Sequence, residues 1–253
     1  MRLSLTMPVH NEAAYLPYSL ASIRRIQPQL HEVIITLDRC TDDSERLIRK
    51  WLPSAKLQTL TEHRWQHPTA EAFQQGYDQA TGDIILATGA DDILDVKMPA
   101  IIQDAFNDET LGSLSFRIYN MDLFSVRLRL HGYYVNLLRS MLQHVRKEAR
   151  HSGLYAFRRA MMRDIGGLAD VASEYDEYCI RMRQAGWKVA YEPSTNIVNL
   201  RATLTAQKQR YQGTAYYWLP QYNFVKVWLH SLLHLKPHVV AGYLDAKNHS
   251  PSI

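Results

Sequence analysis

The chain has 253 residues, 46% apolar and 21% charged, the balance of a globular protein rather than a disordered or fibrous one. Its two cysteines, Cys40 and Cys179, exclude a disulfide framework and lack CxxC spacing for zinc, which fits a reducing, cytoplasmic compartment. The net charge of +4 conceals a basic block: from Arg117 to Arg163 ten Lys or Arg face only Asp122 and Glu148, a local +8 that either attracts anionic partners or forms a solvated helix face. The apolar part of Met1–Pro8 is too short for a signal peptide. No apolar run reaches the roughly 18 residues of a membrane span.

Arg2 to Met7 predicts a strand ending at Pro8, and Asn11 to Ile26 carries apolar residues at helical spacing (Tyr15, Leu16, Leu20, Ile23, Ile26). Val33 to Leu37 predicts a second strand. Asp42 and Asp43 then cap a helix whose apolar face is Leu47, Ile48, Trp51 and Leu52. Leu57 to Leu60 predicts a third strand, Ala70 to Ala80 a helix closed by Gly82, and Ile84 to Ala87 a fourth strand. This alternation implies a mostly parallel sheet covered on both faces. Beyond Met98 the spacing predicts a helix at 101–106, a strand at 113–119 and a long basic helical stretch over 121–150. A strand at 153–157, a helix at 159–165 and a helix at 174–185 before a strand at 187–191 follow. From Ala202 to Leu235 the chain is helix-prone and aromatic, suited to packing on the core or to lying in a membrane interface.

Chemistry concentrates at strand tips. Ile84–Ala87 runs into small residues and then Asp91 and Asp92. In open α/β sheets ligands bind beyond such tips, and Mg²⁺ is held by one or two carboxylates together with substrate phosphates. A helix cap or loop role explains such acids equally well. His63, His67, His131, His144 and His151 have no zinc-ligand spacing and are read as surface residues.

Four clusters occur in order: Met7-Pro-Val-His-Asn-Glu12, Leu37-Asp-Arg-Cys-Thr-Asp-Asp-Ser44, Gly89-Ala-Asp-Asp92, and Glu174-Tyr-Asp-Glu177 with Arg181 and Gly186. Together they resemble the inverting family 2 glycosyltransferases of the GT-A fold over roughly residues 1–200, with 1–98 as the nucleotide-sugar half, 99–200 as the acceptor half and 201–253 as a helical extension. The resemblance implies that Pro8, Val9, His10 and Asp38 meet the nucleotide base; Glu12 is either part of that site or a first-turn acid. It places Asp91 on the second acid of a D-x-D pattern, the ligand of Mg²⁺ or Mn²⁺, while Gly89 occupies the first and Asp92 is a substitute for it. The metal would act as a Lewis acid on the leaving diphosphate.

In the last cluster the acid of the family pattern is displaced by Tyr175. With Arg181 and Gly186 fixing the register, the resemblance implies Asp176 as the general base, Glu174 as the next candidate, and Glu177 holding either the helix or an acceptor. Gln207-Lys-Gln-Arg-Tyr211 resembles a Q-x-x-R-W element, which would set Gln207 on an acceptor and Arg210 on the diphosphate. Asn199 stands where many relatives carry a metal-binding histidine. The implied partners are a UDP- or GDP-linked sugar donor and a glycan or lipid-linked acceptor, with peripheral contact at the inner face of a membrane. Nucleic acid is not an expected partner. Nucleotidylyl transfer would need a Gly-rich loop and a Lys after the first strand, which Pro8-Val-His-Asn11 does not supply. Two further functions compete for the same residues: a degenerate protein that binds a nucleotide sugar without turning it over, and a nucleic-acid-binding protein that uses the basic block.

Overall fold

A computed structural model describes residues 1–142, 155–171, 174–201, 206–219 and 222–249. Its centre is an eight-stranded mixed sheet: β1 (Leu3–Val9), β2 (Glu32–Asp38), β3 (Lys56–Leu60), β4 (Ile84–Ala87), β5 (Asp92–Ile93), β6 (Leu111–Asn120), β7 (Tyr155–Arg158) and β8 (Lys188–Asn199). The spatial order is β3-β2-β1-β4-β7-β6-β8-β5. Pairings β3–β2, β2–β1, β1–β4 and β6–β8 are parallel, and β7 is antiparallel to both β4 and β6. The double reversal through β7 restores the original direction, so the C-terminal tips of β1, β2, β3, β4, β6 and β8 all open onto one edge.

The strands are apolar on both sides because helices cover both faces. Leu3, Leu5, Met7, Val9, Val33, Ile35 and Leu37 pack with α1 (Leu16–Ile26), α2 (Ser44–Trp51) and α4 (Met98–Ala105) through Leu20, Ile23, Ile48 and Ile102. On the opposite face Ile34, Ile85 and Phe157 meet α3 (Pro68–Gln79), α6 (Arg159–Asp164) and α7 (Glu174–Gln184) through Phe73, Tyr77, Met161, Tyr178 and Met182. Each such full burial contributes about 1.5–3 kcal/mol. α3 lies close to the sheet at Gly76, where a Cβ would stand 3.3 Å from Thr6 Cβ of β1.

The predicted strands and helices of the first hundred residues are present, with α1 starting later, at Leu16, and α3 earlier, at Pro68. Two features differ from expectation. β5, only two residues long, has no periodicity to announce it, and β8 continues to Asn199 past Pro193, pairing with β6 across a register shift. The long basic stretch is helical as α5 (Val126–Leu142); its continuation to 150, with His144 and His151, lies outside the described residues.

The C-terminal region forms α8 (Ala206–Trp218), α9 (Phe224–Leu233) and α10 (Pro237–His249). α8 and α10 cross at backbone contact, where a Cβ on Gly213 would lie 2.0 Å from the Val239 carbonyl and one on Gly242 would lie 2.0 Å from that of Arg210. Tyr216, Leu219, Val227 and Val239 form a small cluster there with Ile180 of α7. Trp218, Val225, Trp228 and Leu232 remain exposed. Among the described residues no helix is long and apolar enough to cross a membrane.

Candidate active site

The loop leaving β1 is tied to the loop leaving β2. Asn11, in the left-handed region at φ 54°, accepts the Thr41 and Asp42 N–H groups on Oδ1 at 2.7 and 3.2 Å. Asp42 returns a bond by accepting the Ala13 N–H at 2.9 Å while its other oxygen accepts that of Ser44 at 3.0 Å. Asp42 therefore both caps α2 and anchors the β1 loop, whereas Asp43 is exposed and pairs with Arg46. Pro8 and Val9 close β1 in register with Thr36 and Leu37.

This arrangement delivers His10 beside Asp38. His10 Nδ1 lies 2.6 Å from the Asp38 carbonyl oxygen and 3.9 Å from its Oδ2, and the His10 side chain is 54% exposed. The Asp38 carboxylate is buried at the end of β2. Its Oδ1 accepts from Arg39 Nε at 3.1 Å and lies 2.9 Å from His63 Nε2. The opposite ring nitrogen of His63 is 3.1 Å from Glu71 Oε2. His63 is thus a buried link between two carboxylates and not the surface residue expected from the sequence. Burial pushes the Glu71 carboxyl upward, but the N–H groups of Trp65 and Arg64, together with His63, outweigh it and hold it below the ordinary range. His67 and His131 are also engaged, His67 with Asp170 and His131 with the His234 carbonyl.

At the centre of the edge the turn after β4 folds back on itself. Asp92 Oδ2 accepts the Gly89 N–H at 2.9 Å, and Asp92 Oδ1 accepts the Asn199 amide at 2.8 Å. The same two residues pair across β5 and β8. Burial, with the neighbouring charge of Asp91, pushes the Asp92 carboxyl up to about 7. Gly89 lets these carboxylates close in: a Cβ would stand 2.6 Å from Asp92 Oδ2 and 2.8 Å from Asp91 Oδ1, and both would have to shift.

Beyond Asn199 comes a residue that sequence reasoning passes over. Arg201 pairs through Nη2 with Glu12, sets Nε 3.3 Å from Asp91 Oδ2, and lies with its guanidinium carbon 4.5 Å from the centre of the Tyr15 ring. Burial pushes the Glu12 carboxyl above its ordinary value despite Arg201, and Asp91 adds to the rise. Burial opposes the charge on Arg201 too, but Asp91 and Glu12 overcome it and raise its pKa. Glu12 is therefore an ion-pair partner that joins the β1 loop to the end of β8. The signal for Arg201 is its place two residues past a strand tip, and it is hidden because the sequence pattern ends that strand at Tyr191.

The remaining candidates sit farther out. α7 begins at Glu174 and is joined to β8 by the short turn around Gly186, at φ 86°, so its N-terminus rises toward the same edge. The side chains of Glu174 and Asp176 lie outside the described residues. Glu177 forms a two-point ion pair with Arg181, at 2.6 and 2.7 Å, and Arg181 also donates to the carbonyls of Ile165 and Gly167. This clamp fastens α7 to the glycine turn after α6. Gln207 is exposed in the first turn of α8, and Arg210 pairs with Asp245 of α10.

The edge therefore runs from Asp38 and His10 along the β1 loop to Glu12, and from Glu12 by contact to Arg201, Asp91, Asp92 and Asn199. It is rich in acids and carries fixed cations and an exposed ring. No curated protein sequence matches the chain significantly. Among solved structures, a Pyrobaculum calidifontis mannosyltransferase, PcManGT, crystallised with GDP-Man and Mn²⁺, superimposes with TM-score 0.64 at 20% identity, over 99% of this chain and 76% of that one. S. aureus TarS 1–349 in complex with UDP gives 0.60 at 14% identity, over 92% and 70%. Glucosyl-3-phosphoglycerate synthase from Mycobacterium tuberculosis, in complex with Mn²⁺, UDP-Glc and phosphoglyceric acid, gives 0.53 at 16% identity, over 84% and 77%. The model of glycosyl transferase family 2 matches residues 4–166. With its α/β sheet flanked by helices as in the GT-A neighbours, the chain belongs to glycosyl transferase family 2 and is a glycosyltransferase.

Proposed function

We propose that the chain transfers a sugar, with inversion, from a UDP- or GDP-linked donor to a hydroxyl of a glycan or lipid-linked acceptor. One observation carries this reading: Asp38, Glu12 and Asp91, from three different strand tips, share one edge with the N-terminus of α7. Asp38 Oδ1 is engaged by Arg39 and His63, while Oδ2 faces His10. Oδ2 is suited to accept the ring N–H of uracil or guanine, with the half-exposed His10 ring against the base and Pro8 and Val9 beneath it. The diphosphate then lies toward Asp91 and Arg201, and the sugar toward α7.

Asp176 is the proposed base. It takes the proton of the acceptor hydroxyl as that oxygen bonds to the anomeric carbon, and the bond from that carbon to the diphosphate oxygen breaks on the opposite face. The electron pair leaves with the nucleoside diphosphate, and the configuration inverts. Glu174, two residues earlier in the same cluster, is the second candidate for this role. Gln207, exposed on α8, is available to the acceptor; Glu177 and Arg210 support helices through their ion pairs. Any contact of the exposed aromatic face of α9 with a membrane surface belongs to this proposal as well.

A Mg²⁺ or Mn²⁺ ion at Asp91 is the cofactor implied by the family resemblance, and two of the similar structures contain Mn²⁺. The donors at the edge do not fit it: Asp91 faces a guanidinium, both oxygens of Asp92 are used internally, and residue 89 has no side chain. No cluster of three or more His, Cys, Asp or Glu suited to a metal occurs among the described residues. The steps above therefore run through protein groups alone.

The test is transfer and hydrolysis from a panel of nucleoside diphosphate sugars, repeated with Asp38→Ala and Asp176→Asn. Asp176→Asn is expected to lower turnover by about 10²–10⁴-fold, the usual contribution of a positioned base, with donor affinity preserved. Asp38→Ala is expected to weaken donor binding. Full turnover in Asp176→Asn would refute the assignment of the base.

A further inference from the structure

We propose that Arg201 supplies the fixed positive charge for the donor diphosphate, so that this chain binds its nucleotide without a divalent metal. The inference rests on the transferase reading above and adds the identity of the cation.

Four observations converge. The turn after β4 has no first carboxylate: residue 89 is glycine, and a Cβ there would displace the Asp92 and Asp91 carboxylate oxygens that now stand 2.6 and 2.8 Å from its position. Asp92 is turned inward, with one oxygen on the Gly89 N–H and the other on the Asn199 amide. The Asn199 side-chain oxygen in turn accepts the Arg201 N–H at 3.2 Å. What remains is Asp91, and the group beside it is already a cation, with Nε 3.3 Å from Asp91 Oδ2. A divalent ion placed on Asp91 would sit against the guanidinium and be repelled by it.

The guanidinium is also built to be presented. Glu12 holds it from the β1 loop, Asp91 from the β4 turn, and the Tyr15 ring lies against it. Three side chains therefore fix its position before a ligand arrives, while its own stays 30% exposed. A guanidinium carries five N–H donors in a rigid fork that matches phosphate oxygens. Glu12 engages Nη2 and Nε faces Asp91, while the Arg201 side chain as a whole stays 30% exposed. Capacity is left for an anion arriving from the open edge. Lys208, in the first turn of α8, also acts electrostatically on Glu12.

The experiment is calorimetric titration of the full chain with UDP, GDP and the corresponding nucleosides, in EDTA and again in Mn²⁺. A nucleoside diphosphate is expected to bind in EDTA, with an affinity that Mn²⁺ changes little. Arg201→Ala is expected to weaken the diphosphate by about 10–100-fold, the range for losing a charge-assisted hydrogen-bonding group. The nucleoside affinity should be unchanged, and Arg201→Lys should fall between, keeping the charge but losing the fork. Binding that requires Mn²⁺ in the unaltered chain would overturn the proposal and leave the transferase reading intact. An equal loss of nucleoside and diphosphate affinity in both variants would overturn it too, by showing Arg201 to be only a brace between β1 and β8. Absence of any nucleotide binding in either medium would overturn both readings together.

Discussion

Replacing His63 by leucine tests whether Asp38 is positioned by its buried neighbours or by the backbone of β2 alone. Leucine keeps roughly the volume and removes both polar contacts, at 2.9 Å to Asp38 and 3.1 Å to Glu71. The imidazole side chain is 10% exposed, and the two carboxylates are 9% and 5% exposed, so water does not readily replace it. A hydrogen bond to a charged group contributes about 1.5–3 kcal/mol. Glu71 retains the N–H groups of Arg64 and Trp65, and Asp38 retains Arg39. The expected loss is therefore near the value of one contact, about 2–3 kcal/mol. At this chain length that corresponds to a fall in melting temperature of roughly 5–10 °C. Scanning calorimetry measures the loss, and titration with a nucleoside shows whether base affinity falls with it. A His63→Leu chain that melts with the unaltered protein and binds nucleoside equally well would refute the linkage.

Further perturbations probe the frame around the site. Gly213→Ala sets a methyl 2.0 Å from the Val239 carbonyl and 2.7 Å from the Tyr243 nitrogen, both backbone atoms. The α8–α10 crossing must open, and a loss of at least about 1–3 kcal/mol in urea unfolding is expected; an unchanged midpoint would show that the helices do not cross there. Burial pushes the Glu32 carboxyl upward, but Lys56, the Thr81 N–H and the Ser4 hydroxyl overcome this and lower it to about 2. A depressed carboxylate gives its full stabilisation above the unfolded pKa near 4.3 and loses it as pH falls toward the folded value. The stability lost between about pH 5 and pH 2 is then at most about 3 kcal/mol, reduced by the solvent that screens the exposed Lys56. Glu32→Gln should flatten that part of the stability–pH curve, and an unaltered slope would assign the acid sensitivity to different groups.

Much of the first half is legible in the sequence because its signals are local. Ile84–Ala87 and Val33–Leu37 are short apolar runs with helices between them, and such alternation specifies a parallel sheet with a shared edge. Asp38 and Asp91 fall on that edge because Asp38 ends β2 and Asp91 closely follows β4. The partners of these acids are not legible, since each depends on where a distant strand ends or on its place in the sheet. His63 lies three residues past β3, whose tip shares the edge; periodicity alone leaves it a loop histidine. Arg201 depends on β8 continuing through Pro193, which pairing with β6 allows by a register shift and sequence spacing does not announce. Asp42 is recognisable as a cap, yet it also ties the entry of α1 to β2, a contact between loops 29 residues apart.

The position of those partners changes what the motifs mean. An acid after a parallel strand is an invitation to a cation, and the nature of that cation is decided elsewhere in the chain. At this edge Glu12, Asp38, Asp91 and Asp92 are buried or partly buried within a few residues of the tips of β1, β2 and β4. Uncompensated charges there would be costly. Each has a different resolution: Asp38 meets Arg39 and His63, Asp92 draws on backbone and amide donors with its carboxyl raised to about 7, and Glu12 and Asp91 share Arg201. The last arrangement has a consequence for specificity. A protein cation held by two carboxylates cannot be removed by chelation, and it cannot be exchanged for a different metal. If Arg201 acts as proposed, discrimination among donors passes to the base pocket around His10 and Asp38. Substitutions there should then alter the preference between UDP and GDP while leaving the response to EDTA unchanged, and a coupled change in both would place a metal back at Asp91.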